Sequence, residues 1–320
     1  MIMNLVAPDM SHPPEHHNSS AVRHYQRLLG KGDRATTLLE MLPRFLPLNP
    51  EEAGQLISMG GAYVNGLRVK RPDTRLKAGD LLEAWLRQPL AFRSLAFDPA
   101  WVVHQDGRIL VVDKPAGIPT QGSRDCDADC LFEALRRGLQ GYVGLHHRLD
   151  RDTSGLLLFS RSRQVNPLLA QLFQDRLIEK SYLAICQGIW PFATQRAVIE
   201  ASIGPSRVGG VLRHGVLAHG RPARSEVTLL RELGQGLLLQ VRPVTGRTHQ
   251  IRVHLAHHGM PLLGDTFYGG TALPPDSGRA AADRPFFLHC ARLAWPALNG
   301  LPAACFERPP AWLPDWVYQP

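Results

Sequence analysis

The run His146-His147-Arg148-Leu149-Asp150-Arg151-Asp152 packs two histidines, two arginines and two aspartates into seven residues. A carboxylate beside guanidiniums stays ionised, because nearby cations favour the charged form. A poised anion in a cationic setting suits work on a phosphate-bearing partner. Thr153-Ser154-Gly155 follows as a turn signal. Next comes Leu156-Leu157-Leu158-Phe159, an apolar run that fits a strand buried on both faces. The polar cluster is therefore expected in a loop whose far end is fixed in a core, as a rigid site requires.

A second cluster, Arg242-Pro243-Val244-Thr245-Gly246-Arg247-Thr248-His249-Gln250-Ile251-Arg252-Val253-His254, is as dense and also basic, and runs on into Leu255-Ala256-His257-His258. Three readings are open. His254 and His258 stand four residues apart and, with Asp150 or Asp152, could hold a metal. Against this, no H-E-x-x-H or comparable spacing occurs, and interleaved arginines repel a cation. A basic helix face with satisfied histidines would carry no chemistry. Alternatively, an arginine of this cluster clamps Asp150, holding it ionised and fixing its rotamer. The five cysteines (Cys126, Cys130, Cys186, Cys290, Cys305) are odd in number and scattered. They imply no disulfide framework. Cys126 and Cys130 lack a second pair to complete a zinc site, so no metal is expected.

The elements that must position these clusters follow from periodicity. Ile109-Leu110-Val111-Val112 reads as a buried strand, ended by Asp113 and the turn Lys114-Pro115-Ala116-Gly117. Helices are expected over Leu131–Leu139 and Asn166–Phe173. Strands are expected over Ser181–Cys186, Val227–Leu230, Leu237–Val241 and Phe286–Leu293. Residues 246–259 should begin as loop and continue as helix, and Pro302–Pro320 should wrap the surface. Strands outnumber helices, which predicts an α+β domain on a mixed, mainly antiparallel sheet.

Ahead of it, residues 1–33, rich in His, Pro, Ser and Asn, read as a solvated tail, and 87–107 as a linker. Between them a small α/β unit over 36–88 shows two short helices, with Pro43 inside the first. The hairpin signal Asn65-Gly66 and a final strand Asp80–Leu86 follow. Val64-Asn65-Gly66 and Leu76-Lys77-Ala78-Gly79-Asp80 resemble the S4 RNA-binding module. Such modules usually open with an arginine-bearing helix, where this chain has Thr36-Thr37-Leu38-Leu39. Arg68, Lys70, Arg71 and Arg75 would supply phosphate contacts.

The formal net charge of +8 points toward nucleic acid or an anionic membrane. Of 36 basic residues only Lys31, Lys70, Lys77, Lys114 and Lys180 are lysine, a bias that suits RNA. No run approaches ~18 consecutive apolar residues, so no membrane span is expected. The opening residues lack a charged start followed by an apolar core, so a cytoplasmic location is expected.

Taken together, the two clusters resemble motifs of the RluA family of pseudouridine synthases. His147 to Leu157 matches that family's signature, and Val244 to His254 its later motif. Glu179-Lys180-Ser181-Tyr182 is similar to its K-x-Y element, and Val112-Asp113-Lys114-Pro115-Ala116-Gly117 to the strand end that opens its catalytic domain. Leu263 to Gly270 and Leu288-His289 also fit, in order, so the resemblance spans residues 100–310. It implies isomerisation of uridine to pseudouridine in RNA without a cofactor. Asp150 would be the catalytic aspartate, Arg252 its ion-pair partner and Tyr182 a residue against the uracil that assists proton removal at C5. Ile251 would line an apolar wall, and Arg148 would fill the gap a flipped uridine leaves. His147 would either touch a phosphate or make an internal hydrogen bond. Ribosomal RNA is the expected substrate of a monomeric enzyme, with transfer RNA the alternative. A non-catalytic RNA-binding protein of the same fold is the rival from another class.

Overall fold

Two capping boxes set the helices of the first unit. Thr37 accepts from the Glu40 amide and Asn49 from the Glu52 amide, and each glutamate reaches back to its cap residue's own N–H. They open α1 (Leu38–Phe45) and α2 (Pro50–Met59). Pro43 lies inside α1, which nonetheless continues to Phe45. Both helices bury leucines against a four-stranded sheet of β1 (Val22–Leu28), β2 (Ala62–Val64), β3 (Leu67–Arg68) and β4 (Leu81–Arg87), ordered β1-β4-β2-β3. Asn65 and Gly66 both take positive φ in the β2–β3 turn, as a two-residue hairpin requires.

The computed structural model describes residues 22–33, 36–87, 94–208, 211–234, 236–273 and 286–313. The chain divides into two units, Met1–Phe92 and Arg93–Pro320. The expected tail is corrected in part. Residues 1–21 lie outside the described residues, but Val22–Leu28 pairs along its whole length with β4. This edge strand is exposed and polar, so it shows no apolar alternation. What fixes it is backbone pairing and contacts such as His24 stacked on Trp85 at 4.1 Å.

The expected linker is corrected likewise. In the second unit, β5 (Val102–Gln105) pairs at the sheet edge with β6 (Ile109–Lys114). The chain continues through α3 (Leu131–Gly138), β7 (Gly144–Leu145), β8 (Ser154–Ser160), α4 (Asn166–Gln174) and β9 (Glu179–Gln187). Then come β10 (Arg196–Glu200), β11 (Ile203–Val208), β12 (Val211–Val216), β13 (Arg224–Leu233), β14 (Gly236–Pro243), α5 (Gln250–His257), β15 (Leu288–Trp295) and β16 (Ala304–Glu307). The main sheet runs β10-β13-β14-β9-β15-β8-β6-β5, with β7 on β8 and β16 on β15, while β11 and β12 form a separate ribbon. Its pairings are antiparallel except for β8 with β15. The Pro-rich end is not wholly irregular, since β16 lies within it; residues 314–320 are outside the described set.

Leu110 to Val112 on β6 and Leu156 to Phe159 on β8 are fully buried and fix the centre of the sheet. Gly155, at φ 106°, marks where β8 meets β15: a Cβ there would sit 2.4 Å from the Cys290 carbonyl oxygen. Only glycine lets the parallel pair close directly behind the first polar cluster.

Candidate active site

The two clusters meet across one cleft of about 370 Å³, lined by loop 146–153, Tyr182 on β9, loop 243–249 and the start of α5. Asp150, Tyr182, Arg252, Arg148, His147 and Ile251 all line it.

Loop 146–153 is held from behind by the turn after β6. Lys114, fully buried, donates to the carbonyls of Pro115 (2.8 Å), Ile118 (2.7 Å) and Arg151 (2.8 Å). An ammonium has three N–H groups, so each is matched. Burial pushes the Lys114 amine down to about 7, against the pull of Asp152 and Asp150. The three short bonds to acceptors favour the ammonium, because a neutral amine would leave one carbonyl facing a lone pair. Thr120 completes the hold: its hydroxyl donates to the Leu149 carbonyl at 2.8 Å and accepts from the Leu149 amide at 3.1 Å. These bonds use backbone groups, so holding the loop in this way does not consume the side chains of Arg148 and Asp150.

Loop 243–249 is held differently, by the side chain of Gln250 at the start of α5. The Gln250 carbonyl oxygen accepts from the Thr245 hydroxyl (2.7 Å) and the Arg247 amide (3.0 Å). Its amide nitrogen donates to the Arg224 carbonyl and to Ser225 Oγ, both at 2.9 Å. Ser225 Oγ lies 3.0 Å from His254 Nδ1, and His254 Nε2 lies 3.2 Å from the Ala201 carbonyl. His254 is buried with both nitrogens engaged, which leaves it no lone pair for a metal. No cluster of potential metal ligands occurs among the described residues.

Arg252 joins the two loops. Its Nη1 lies 3.4 Å from Asp150 Oδ2. The shorter bonds of its fork go elsewhere: Nε to Asp265 Oδ2 at 2.7 Å and Nη2 to Asp265 Oδ1 at 2.8 Å. The guanidinium also faces the rings of Phe286 (4.5 Å) and Tyr268 (4.8 Å). Burial works against its charge, but Asp265 and Asp150 outweigh that and raise its pKa above the ordinary value. The expected Asp150–Arg252 pair is present, and Asp265, buried and bidentate, fixes the arginine that makes it.

Asp150 is engaged through one oxygen. Arg252 and His249 Nε2, at 3.8 Å, both approach Oδ2. Oδ1 makes no hydrogen bond to any of the described residues. Tyr182 is buried, and burial followed by the nearby Cys290 raises its phenol well above the usual range, so it keeps its proton at neutral pH. Ile251 is buried beside it in the wall, while Arg148 is exposed at the mouth. Of the two roles open to His147, the structure shows the internal one: Nε2 accepts from the Leu158 amide at 3.0 Å. Burial first, then Lys180, keeps its ring neutral. Asp152 is raised above the ordinary carboxylate value, mainly by burial.

Sequence reasoning assigned no role to Asp265, His249, Tyr268 or Lys114. Asp265 and Tyr268 sit in the Leu263–Gly270 motif, and a carboxylate there offered a signal. Its pairing with Arg252 depends on how that turn folds onto α5, which periodicity does not give. In the first unit, Lys70, Arg71 and Arg75 are exposed, and Arg71 pairs with Asp73 at 2.9 Å. Arg68 is half-buried and donates to the Tyr63 hydroxyl through Nε (3.0 Å) and Nη2 (2.6 Å).

The model of the RNA pseudouridylate synthase family matches residues 108–257. The chain is 31% identical over 251 residues to the ribosomal large subunit pseudouridine synthase C of Vibrio parahaemolyticus, covering 75% of this chain and 78% of that protein. It is 33% identical over 192 residues to the ribosomal large subunit pseudouridine synthase D of Nitrosomonas europaea, covering 58% and 55% respectively. Among solved structures, Human RNA Pseudouridylate Synthase Domain Containing 1 aligns at TM-score 0.53 and 25% identity, over 70% of this chain and 90% of that one.

Proposed function

The chain belongs to the RluA family of RNA pseudouridine synthases, and from that membership we propose that it isomerises uridines of ribosomal RNA, with Asp150 as the group that engages the ribose. The observation that carries the residue assignment is the asymmetry of Asp150, which lines the cleft: Oδ2 is approached by Arg252 and His249, while Oδ1 makes no hydrogen bond to the described residues.

A uridine inside a helix cannot reach a carboxylate at the bottom of a cleft, so it must leave the stack. Arg148, exposed at the mouth, fills the space it vacates. The uracil packs on Tyr182 and Ile251. Asp150 drives cleavage of the N1–C1′ bond, the uracil turns, and a C5–C1′ bond forms. The reaction then sheds the C5 proton while N1 gains one, with no change of oxidation state overall. Tyr182 holds its own proton, so its part is to pack on the ring and relay; the free Asp150 oxygen is the carboxylate placed to accept the C5 proton. Arg252 pairs with Asp150 Oδ2 and fixes the carboxylate's orientation.

The ribosomal substrate rests on the relatives named for ribosomal large subunit activity. We extend the proposal to the first unit as an S4-like module that holds RNA through Lys70, Arg75 and their basic neighbours, and to a monomeric cytoplasmic enzyme. No helix among the described residues is long and apolar enough to cross a membrane. The test is tritium release from RNA labelled at uridine C5, with pseudouridine mapping in RNA from a deletion strain. The wild type is expected to release tritium and Asp150→Ala to release none, with the missing pseudouridines in ribosomal RNA. Activity in Asp150→Ala overturns the assignment, and missing sites confined to transfer RNA overturn the substrate.

A further inference from the structure

We propose that His249 is a positioning residue for Asp150, presenting its Nε2–H to the same carboxylate oxygen that Arg252 approaches. The inference rests on the synthase reading of the cleft.

His249 caps the N-terminus of α5 with φ 55° and ψ 22°, in the left-handed region. Few side chains adopt that conformation readily, and such positions cluster where surrounding structure dictates them. Here the backbone turn throws the ring back between the two loops. On one side Nδ1 lies 2.8 Å from the Tyr268 hydroxyl oxygen. On the other, Nε2 lies 3.8 Å from Asp150 Oδ2. The rings of Phe267 and Tyr268 meet it edge-on, with centroids at 6.3 and 5.6 Å.

These contacts select a tautomer. The Tyr268 oxygen accepts from the His214 amide at 3.3 Å, which leaves its hydroxyl hydrogen for His249 Nδ1. The ring proton then resides on Nε2, facing Asp150. The opposite tautomer would turn a lone pair toward a carboxylate. Burial, with Arg252 and His214 nearby, disfavours the doubly protonated ring; Asp150 and Asp265 favour it but do not prevail. A neutral imidazole thus points an N–H dipole at Oδ2. At 3.8 Å this is too long for a hydrogen bond, as is common before substrate closes a site. With two donors converging on Oδ2, Oδ1 stays directed at the ribose. Arg252 alone would leave the carboxylate free to rotate about one long contact.

The test separates this chemistry from a purely conformational role. Asparagine tolerates the left-handed backbone and can mimic Nδ1 toward Tyr268, but it cannot reach Asp150. Glutamine suits that backbone less well, yet its amide N–H reaches the Nε2 position. Single-turnover tritium release and RNA Kd would be measured for the wild type, Asp150→Ala, His249→Asn, His249→Gln, Tyr268→Phe and His249→Asn/Tyr268→Phe. His249→Asn should lose about 10²-fold in rate, the scale of a misplaced catalytic group, with RNA Kd unchanged. His249→Gln should recover part of that loss. Tyr268→Phe should slow the wild type and cost little more in the His249→Asn background. Wild-type rates in His249→Asn, glutamine no better than asparagine, or full additivity with Tyr268→Phe each overturn the inference. An inactive wild type on all cellular RNA would instead overturn the synthase reading itself.

Discussion

Loop 146–153 and loop 243–249 carry similar densities of charge, but they are fixed by opposite means. The first is held by side chains from outside it, Lys114 and Thr120, which grip its backbone at Arg151 and Leu149. The second is held by members of its own motif: Thr245, Arg247 and Gln250 bond one another and the neighbouring β13. Outside anchoring leaves Arg148 and Asp150 free to meet a substrate. Self-anchoring commits Thr245, Arg247 and Gln250 to holding the second loop, while Ile251, Arg252 and His249 are the members of the motif that reach the other loop or the apolar wall. A dense polar motif therefore divides into residues that build and residues that act. The division depends on where the backbone's partners come from.

The largest effect is expected from removing Arg252, the residue that bridges the loops. Arg252→Met leaves Asp265 as a buried carboxylate without its counter-charge, an arrangement that costs about 3–5 kcal/mol. Both stability and tritium release should fall steeply. Asp265→Asn should lose less stability, because the amide still packs, and should keep a mobile guanidinium near Asp150. If Arg252→Met melted no lower than Asp265→Asn in thermal denaturation, the fork to Asp265 would not be what fixes the arginine.

Next in size are the two anchors. Lys114→Met strips donors from three carbonyls, with about 1–3 kcal/mol for each well-buried acceptor left unsatisfied. Its expected signature is a loss of rate with the sheet intact, since β6 and β8 remain packed. Gln250→Ala should cost about 1–3 kcal/mol in all, because the Arg224 amide still reaches the Thr245 hydroxyl when the glutamine is gone. Hydrogen exchange at loops 146–153 and 243–249 distinguishes them: each variant should loosen its own loop only. Exchange rising in both loops for either variant would mean that they open as one unit and are not separately anchored.

Much of this was legible in the sequence. The strands of the core, β6, β8, β9, β13, β14 and β15, announce themselves as apolar runs, and burial in the structure follows those runs. The pairing of Asp150 with an arginine a hundred residues later came from matched motifs rather than charge counting. Edge elements such as β1, β5, β10 and β16 were not legible, because their stability comes from backbone pairing that leaves polar side chains exposed. The ribbon of β11 and β12 was missed for the same reason. Asp265 and Lys114 escaped notice as anchors because a lysine before Pro-Ala-Gly reads as a surface turn. Only the fold shows its three acceptors converging in the interior.

The smallest effect is in pH, and it again sets the two regions side by side. Each has a neutral histidine, the half-buried His147 within the first loop and the buried His254 beneath the second. His147 is pushed well below its ordinary value by burial and then by Lys180. His254 is lowered by burial, but the Ala201 carbonyl pulls it partly back. Below about pH 6.5 the unfolded chain binds a proton that the folded histidine refuses, so stability falls with falling pH, at most about 1.4 kcal/mol per pH unit for each such group. For His254 the fall ends once its folded pKa is passed; for His147 it continues further into acid. Urea unfolding across this range should therefore give a flatter slope in His147→Asn than in the wild type, and a smaller flattening in His254→Asn. Equal slopes in the two variants would mean that the loops' interiors are equally wet.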